Sequence, residues 1–266
     1  MSFSIKGKTA IVTGAANGIG LSIARQFADR GANVMCADMD ERKLSEEWGA
    51  EQDDATLRYF AGDLRQRLTI ANLVSATIDA FDRVDILVNA SRQVMPTDAM
   101  DVEDNSVSVL LEQNLMTALQ LSQQVARRMI KQGADQPEGQ LGAIVNLSSI
   151  VSRHTRPELM GYSIAAAALD QMTRSMALAL APERIRVNAV AFGSVMSASL
   201  KSSLVDHSEW REDIRSHTPL GRIAGPTELV EAVQFLAAES SAFMTGEIIT
   251  VDGGRSLLDP VLAPAH

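Results

Sequence analysis

Apolar residues fall in short continuous runs that alternate with stretches of helical period along most of the chain. The first run, Ala10-Ile11-Val12, gives way to a turn carrying Gly14, Gly18 and Gly20. Ile19, Ile23, Ala24 and Phe27 then share one helix face, with Ser22, Arg25 and Gln26 opposite. Gly31 suits the left-handed residue that closes such a helix. Further strand-like runs cover residues 32–37, 56–60, 84–89, 143–147, 185–190 and 247–251. Helices are predicted over about 41–49, 68–81, 105–131, 160–181 and 226–238. Residues 133–142 read as a polar surface loop, 194–224 as a long irregular segment, and the tail with Pro260 and Pro264 as a surface extension.

This alternation predicts an α/β fold: a Rossmann-type, doubly wound parallel sheet between two layers of helices, with right-handed crossovers. The strands are continuous apolar runs, which suits a sheet covered on both faces. With no repeat or linker, residues 1–266 read as one domain. Ligands in such sheets bind beyond the carboxyl ends of the strands. Function is therefore expected at residues 14–20, Asp38, Asp63, 89–92, 148–152 and 192–197. In the 194–224 segment, Met196, Leu200, Leu204 and Trp210 either cover an apolar substrate or belong to an extra helix packed on the core.

The first strand, glycine turn and helix form a phosphate-binding device. Glycine lets the backbone turn tightly and approach a pyrophosphate, and the helix start offers free N–H groups and a positive dipole end. Asp38 ends the second strand about 20 residues beyond the turn, where a carboxylate can hold the adenosine ribose of NAD. It would repel a 2′-phosphate, and no Arg or Lys stands at Ala15, Ala16 or Met39. Arg42 and Lys43 are close but expected on an exposed helix.

Composition narrows the classes. The chain has 266 residues, 46% hydrophobic and 21% charged, as in an ordinary globular protein. A net charge of −9 argues against nucleic-acid binding. No apolar run is long enough to span a bilayer, and the first eight residues have no signal-peptide core, so the cytoplasm is the expected setting. The single cysteine, Cys36, excludes an internal disulfide and reads as a buried strand residue. His154, His207, His217 and His266 show no metal-ligand spacing, so no metal is expected.

From Lys8 to Gly254 the sequence resembles the short-chain dehydrogenase/reductase family. Its Thr-Gly-x-x-x-Gly-x-Gly turn is matched by Thr13, Gly14, Gly18, Ile19 and Gly20, and its acid by Asp38. Asp63-Leu64 matches the pair that contacts adenine, and Asp85 to Asn89 the strand before the family's Asn-Asn-Ala-Gly turn. Asn114 matches the helix Asn that supports a proton-relay water near the catalytic Lys. Ile144 to Ser149 carries the catalytic Ser, Ser149 rather than Ser148 by its distance from Tyr162, the match to the catalytic Tyr. The resemblance implies catalytic roles for Tyr162, Ser149 and Asn114. It implies cofactor contacts at Gly14, Asn17, Gly18, Ile19, Gly20, Asp38, Asp63, Leu64, Asn89, Tyr162, Gly193 and Val195. It also implies a homodimer or homotetramer built through the two long helices and the last strand.

Four positions depart from the family pattern. The Lys of Tyr-x-x-x-Lys is Ala166; the Gly of Asn-Asn-Ala-Gly is Arg92; the Pro of Pro-Gly is Phe192; and the Gly after the catalytic Ser is Ser152. A phenol ordinarily ionises near pH 10, and a neighbouring cation favours its anion. Losing one charge-assisted hydrogen bond of about 1.5–3 kcal/mol corresponds to about 10–150-fold in rate. Arg92 can supply the missing charge but not relay a proton; the simpler expectation is that it points to solvent or obstructs the pocket. Arg153 and His154 either meet substrate or face water. Two functions follow. One is an NAD-dependent oxidoreductase acting on a secondary alcohol or ketone, partly apolar to judge from Met95 and Met196. The other is an inactive NAD-binding relative that works through partner proteins.

Overall fold

The computed structural model describes residues 2–49 and 56–259. Seven parallel strands form one sheet in the order β3-β2-β1-β4-β5-β6-β7. They are β1 (Thr9–Thr13), β2 (Asn33–Asp38), β3 (Leu57–Ala61), β4 (Ile86–Asn89), β5 (Gly142–Ser149), β6 (Ile185–Phe192) and β7 (Ile248–Val251). The chain builds outward from β1 to β3, then restarts beside β1 with β4 and builds the other way. The crevice at that reversal, between the carboxyl ends of β1 and β4, is where a ligand fits in an open α/β sheet.

Strand residues alternate between the two helix layers, because successive side chains point to opposite faces. Ala10 and Val12 of β1 pack with Ile23 and Phe27 of α1 (Gly18–Asp29), Leu44 and Trp48 of α2 (Glu41–Trp48), and Val233 of α9 (Pro226–Ala237). Ile11 packs the other way, with Leu73 of α3 (Arg67–Phe81), Leu121 and Val125 of α5 (Thr117–Gln132), and Ala177 of α6 (Met160–Leu180). Cys36 is buried within β2. Among the described residues no helix is long and apolar enough to cross a membrane, and no His, Cys, Asp and Glu group could hold a metal ion.

Three expectations need correcting. The helix over 105–131 is not uniform: α4 (Ser106–Leu111) passes into a π-helical segment, Glu112–Met116, before α5. There the Thr117 N–H donates to the Glu112 carbonyl, five residues back, and this extra residue per turn re-aims the side chains around Asn114. Residues 194–224 are not irregular: they hold α7 (Ala198–Asp206) and α8 (Glu209–Ser216), with Leu204 and Ile214 buried. The two ends of that segment are pinned together where Val195 bridges Ala224 and the Met196 N–H donates to the Ala224 carbonyl at 2.9 Å. Finally, β5 and β6 run two residues beyond their apolar cores, which places Ser149 beside Phe192 in register. The tail with Pro260 and Pro264 lies outside the described residues.

Candidate active site

The glycines of the first turn are required by close contact and open space. A Cβ at Gly20 would lie 2.2 Å from the Gly14 carbonyl oxygen, and one at Gly14, whose φ is +68°, 3.0 Å from the Ser91 backbone. Gly18, with φ +58°, has nothing within 4 Å of where its Cβ would point. α1 starts there, with Ile19 and Gly20 in its first turn, and Asn17 at its N-cap makes no side-chain capping bond. The opening beside Gly18 and the helix start without a side-chain cap fit a dinucleotide diphosphate, because the first turn of a helix leaves backbone N–H groups without intrahelical partners.

Asp38 sits beside this turn. Its carboxylate accepts from the Ala16 N–H at 3.2 Å and the Asp40 N–H at 3.1 Å, which orients it with lone pairs to spare. Arg42 is paired with Glu46 at 2.7 Å and Lys43 with Asp40 at 3.0 Å, so both cations are engaged along α2. The Asp63 carboxylate is forked by Arg65 at 2.7–3.1 Å, and that side-chain bond holds its carboxyl below the usual range. The Leu64 side chain is buried in the core, which leaves its backbone as the group a ligand could meet.

From the turn, contacts lead directly to Tyr162. The Thr13 hydroxyl accepts from the Ala90 and Ser91 N–H groups, each at 3.0 Å. The Asn114 carboxamide, aimed by the π segment, accepts from the Gln93 N–H at 2.7 Å and donates to the Gln93 carbonyl at 2.8 Å. Between these clamps, Arg92 Nη1 donates to the Tyr162 hydroxyl at 3.1 Å, and its guanidinium lies 4.4 Å from the Phe192 ring centroid. Arg92 is exposed, as expected of a loop cation, yet it also lines the site and its guanidinium reaches the Tyr162 hydroxyl. Asn114, expected to support a relay water, has its side chain committed to the loop that carries Arg92.

Asn89, Asn114, Ser148, Tyr162 and Ala166 line a cavity of about 20 Å³, room for about one water. The Ser148 hydroxyl is buried there without a protein partner. Asn89 donates to Ser122 at 3.0 Å and to Asn146 at 2.8 Å, and Asn146 donates in turn to Thr173 at 2.8 Å. This buried network ties β4, β5, α5 and α6 together behind the cavity. Sequence reasoning did not single out Asn146 or Thr173; the available signal was a polar Asn in the middle of an apolar strand. Apolar walls beside Tyr162 come from Leu110 and Ala165, with Met95 and Val151 packed against them.

The remaining residues frame the site. The Ser149 hydroxyl is buried at the end of β5 and accepts from the Val151 N–H at 3.4 Å. A Cβ at Gly193 would lie 3.2 Å from Asp252, so the backbone passes close to that side chain. Burial pushes the Asp252 carboxyl up, but bonds from Ser256 and Gly254 outweigh it and hold the group below its usual range. Val195 is buried at the neck of the 194–224 segment. Arg153, considered for substrate contact, donates to the Thr250 hydroxyl at 2.9 Å. The structure thus gathers Asn89, Asn114 and Tyr162 at one cavity, with the glycine turn and Asp38 adjoining, and leaves Asp63 and Leu64 at the flank.

Comparison with known proteins agrees with this geometry. Residues 14–256 match a family model described as enoyl-(acyl carrier protein) reductase. The chain is 31% identical over 251 residues to the 3-oxoacyl-(acyl-carrier-protein) reductase FabG of Thermotoga maritima, covering 94% of this chain and 98% of that protein. It is 32% identical over 259 residues to a glucose 1-dehydrogenase of Gluconobacter oxydans, covering 94% and 92%. A 7α-hydroxysteroid dehydrogenase solved with NADH and 7-oxo glycochenodeoxycholic acid superposes with a TM-score of 0.86 at 29% identity, covering 95% of each chain. With motif, fold and relatives in agreement, the chain belongs to the short-chain dehydrogenase/reductase family, a family of oxidoreductases that use a nicotinamide cofactor.

Proposed function

We propose that the protein is an NAD-dependent oxidoreductase that interconverts a secondary alcohol and its ketone. The observation that carries this is the unbroken line of contact from the glycine turn through Ser91 and Arg92 to the Tyr162 hydroxyl. It joins a diphosphate cradle to a buried proton-transfer group. NAD, when bound, supplies the hydride chemistry. Gly14, Asn17, Gly18, Ile19 and Gly20 would hold its diphosphate, Asp38 its adenosine ribose, and Asn89, Tyr162, Gly193 and Val195 its nicotinamide half. Tyr162 takes or gives the proton at the substrate oxygen, and Ser149 orients that oxygen by donating a hydrogen bond. On this reading Ala166, which lines the cavity, stands where the family carries its catalytic Lys.

The preference for NAD over NADP rests on Asp38 and on the pairing of Arg42 and Lys43 with acids of their own helix region. The apolar group around Tyr162 supports a partly apolar substrate such as an alicyclic alcohol. The same reading includes cytoplasmic operation as a homodimer or homotetramer, for which the exposed Ile164 and Leu178 of α6 offer an apolar face. A panel of cyclic and linear secondary alcohols and ketones, followed through NADH absorbance, tests the activity. Turnover with at least one alicyclic member is expected. NADH binding without turnover across the whole panel would contradict it in favour of an inactive NAD-binding protein.

A further inference from the structure

We infer that Arg92 supplies the positive charge that favours the Tyr162 phenolate, with Phe192 and Asn114 as the residues that position it. This rests on the reading of Tyr162 as the proton-transfer group. Three departures from the family pattern, Arg92, Phe192 and Ala166, meet in one place. The Arg92 guanidinium is 3.1 Å from the Tyr162 oxygen and 4.4 Å from the Phe192 ring centroid. Ala166 lines the same cavity as Arg92 and Tyr162, where it presents only a methyl group.

The arrangement is held from three directions. The Phe192 ring is almost fully buried at the end of β6, so it is a fixed platform, and a guanidinium over an aromatic face is attracted by the ring quadrupole. The Thr13 hydroxyl fixes the loop just before Arg92 and the Asn114 carboxamide fixes it just after. Arg92 has no acidic partner among the described ion pairs, so its charge is not neutralised by a carboxylate. The other described residues lining the cavity with Tyr162 are neutral, among them Asn89 and Ser91 from the β4 end, Asn114 from the π segment, Ser148 from β5, and Ala166 and Leu169 from α6. Among the described residues Arg92 is thus the one charged side chain lining that cavity, and a cation this close favours ionisation of a phenol. Arginine keeps its own proton at working pH, so its contribution is charge and orientation.

The test uses the apo protein and needs no turnover. The chain has two tyrosines, Tyr59 and Tyr162, so Tyr59→Phe leaves Tyr162 as the single source of tyrosinate absorbance. On that background Arg92→Gln is expected to move the rise of tyrosinate absorbance to higher pH than in its parent. Arg92→Lys should fall between the two, because Lys keeps the charge but loses the planar fork and the stacking on Phe192. Adding Ala166→Lys to Arg92→Gln should bring the rise back toward lower pH, because residue 166 lines the same cavity as the phenol. In the full enzyme, Arg92→Gln should slow turnover by about 10–150-fold with a pH profile displaced the same way. If Arg92→Gln titrates together with its parent, the inference is overturned, whatever the protein does with NADH. If the titration moves but no alcohol or ketone reacts, Arg92 keeps its role and the activity reading fails alone.

Discussion

Replacing Tyr162 by Phe is expected to lower NAD-linked turnover by about 10²–10⁴-fold, the range for losing a positioned general acid/base. NADH affinity should change far less, because one hydrogen bond is a small part of a dinucleotide's contacts. The substitution removes a single oxygen. The ring stays among Leu110, Ala165, Met95 and Val151, and the fold loses only the bond from Arg92. A bond to a charged group is worth about 1.5–3 kcal/mol at most here, less because Arg92 is largely exposed. The effect should therefore appear in kcat, with the melting temperature lowered by a few degrees or less. Steady-state rates on the best substrate of the panel provide the measurement. A Phe variant within about tenfold of the parent would remove Tyr162 from the chemistry.

The second large effect concerns the glycine turn. Gly20→Val places a Cβ 2.2 Å from the Gly14 carbonyl oxygen and 2.9 Å from that of Thr13. Both neighbours are backbone, so the turn itself must open. Overpacking of this kind costs about 1–3 kcal/mol, which for a chain of this size lowers the melting temperature by about 2–12 °C. NADH binding should weaken by at least about 100-fold, because a displaced turn no longer presents its N–H groups together. Gly18→Ala separates the two consequences. Its Cβ meets nothing within 4 Å, so the fold bears only the strain of a left-handed backbone, about 1–2 kcal/mol, while the methyl enters the space assigned to the diphosphate. Gly18→Ala should thus weaken NADH binding strongly while lowering the melting temperature by about 2–8 °C. A Gly18→Ala protein that binds NADH with unchanged affinity would move the diphosphate away from this turn. Differential scanning fluorimetry and NADH titration on both variants give the comparison.

Much of this architecture is legible in the chain. The seven apolar runs became the seven strands, with ends shifted by a residue or two, because buried parallel strands are marked by continuous hydrophobicity. The glycine turn is legible for a similar reason: strand, glycines, helix and acid occur in a fixed order. What stays hidden is set by side-chain direction and by local backbone choices without a periodic signature. The π segment adds a residue within an otherwise regular helical pattern, and nothing in 105–131 marks where. The polar helix α8 buries only Ile214, which gives too weak an apolar stripe to predict from spacing.

Arg92 is the clearest case. Its identity at a glycine position was visible, and so was the absence of Lys at Ala166, but no pattern tells which way a loop arginine points. The answer depends on Phe192 reaching the end of β6 and on Asn114 gripping Gln93, two tertiary facts. Asp63 carries the same lesson in reverse. It matched a family contact residue, yet Arg65, two residues along, already takes its carboxylate.

The whole proposal depends on the turn after β1 binding a dinucleotide and on Asp38 selecting its unphosphorylated ribose. Isothermal titration of the folded wild-type protein with NADH and with NADPH tests both parts in one experiment. Saturable NADH binding, at least about tenfold tighter than NADPH, is the expected result. No heat from NAD or NADH at millimolar concentration would contradict the dinucleotide site itself, and tighter binding of NADPH would contradict the role of Asp38.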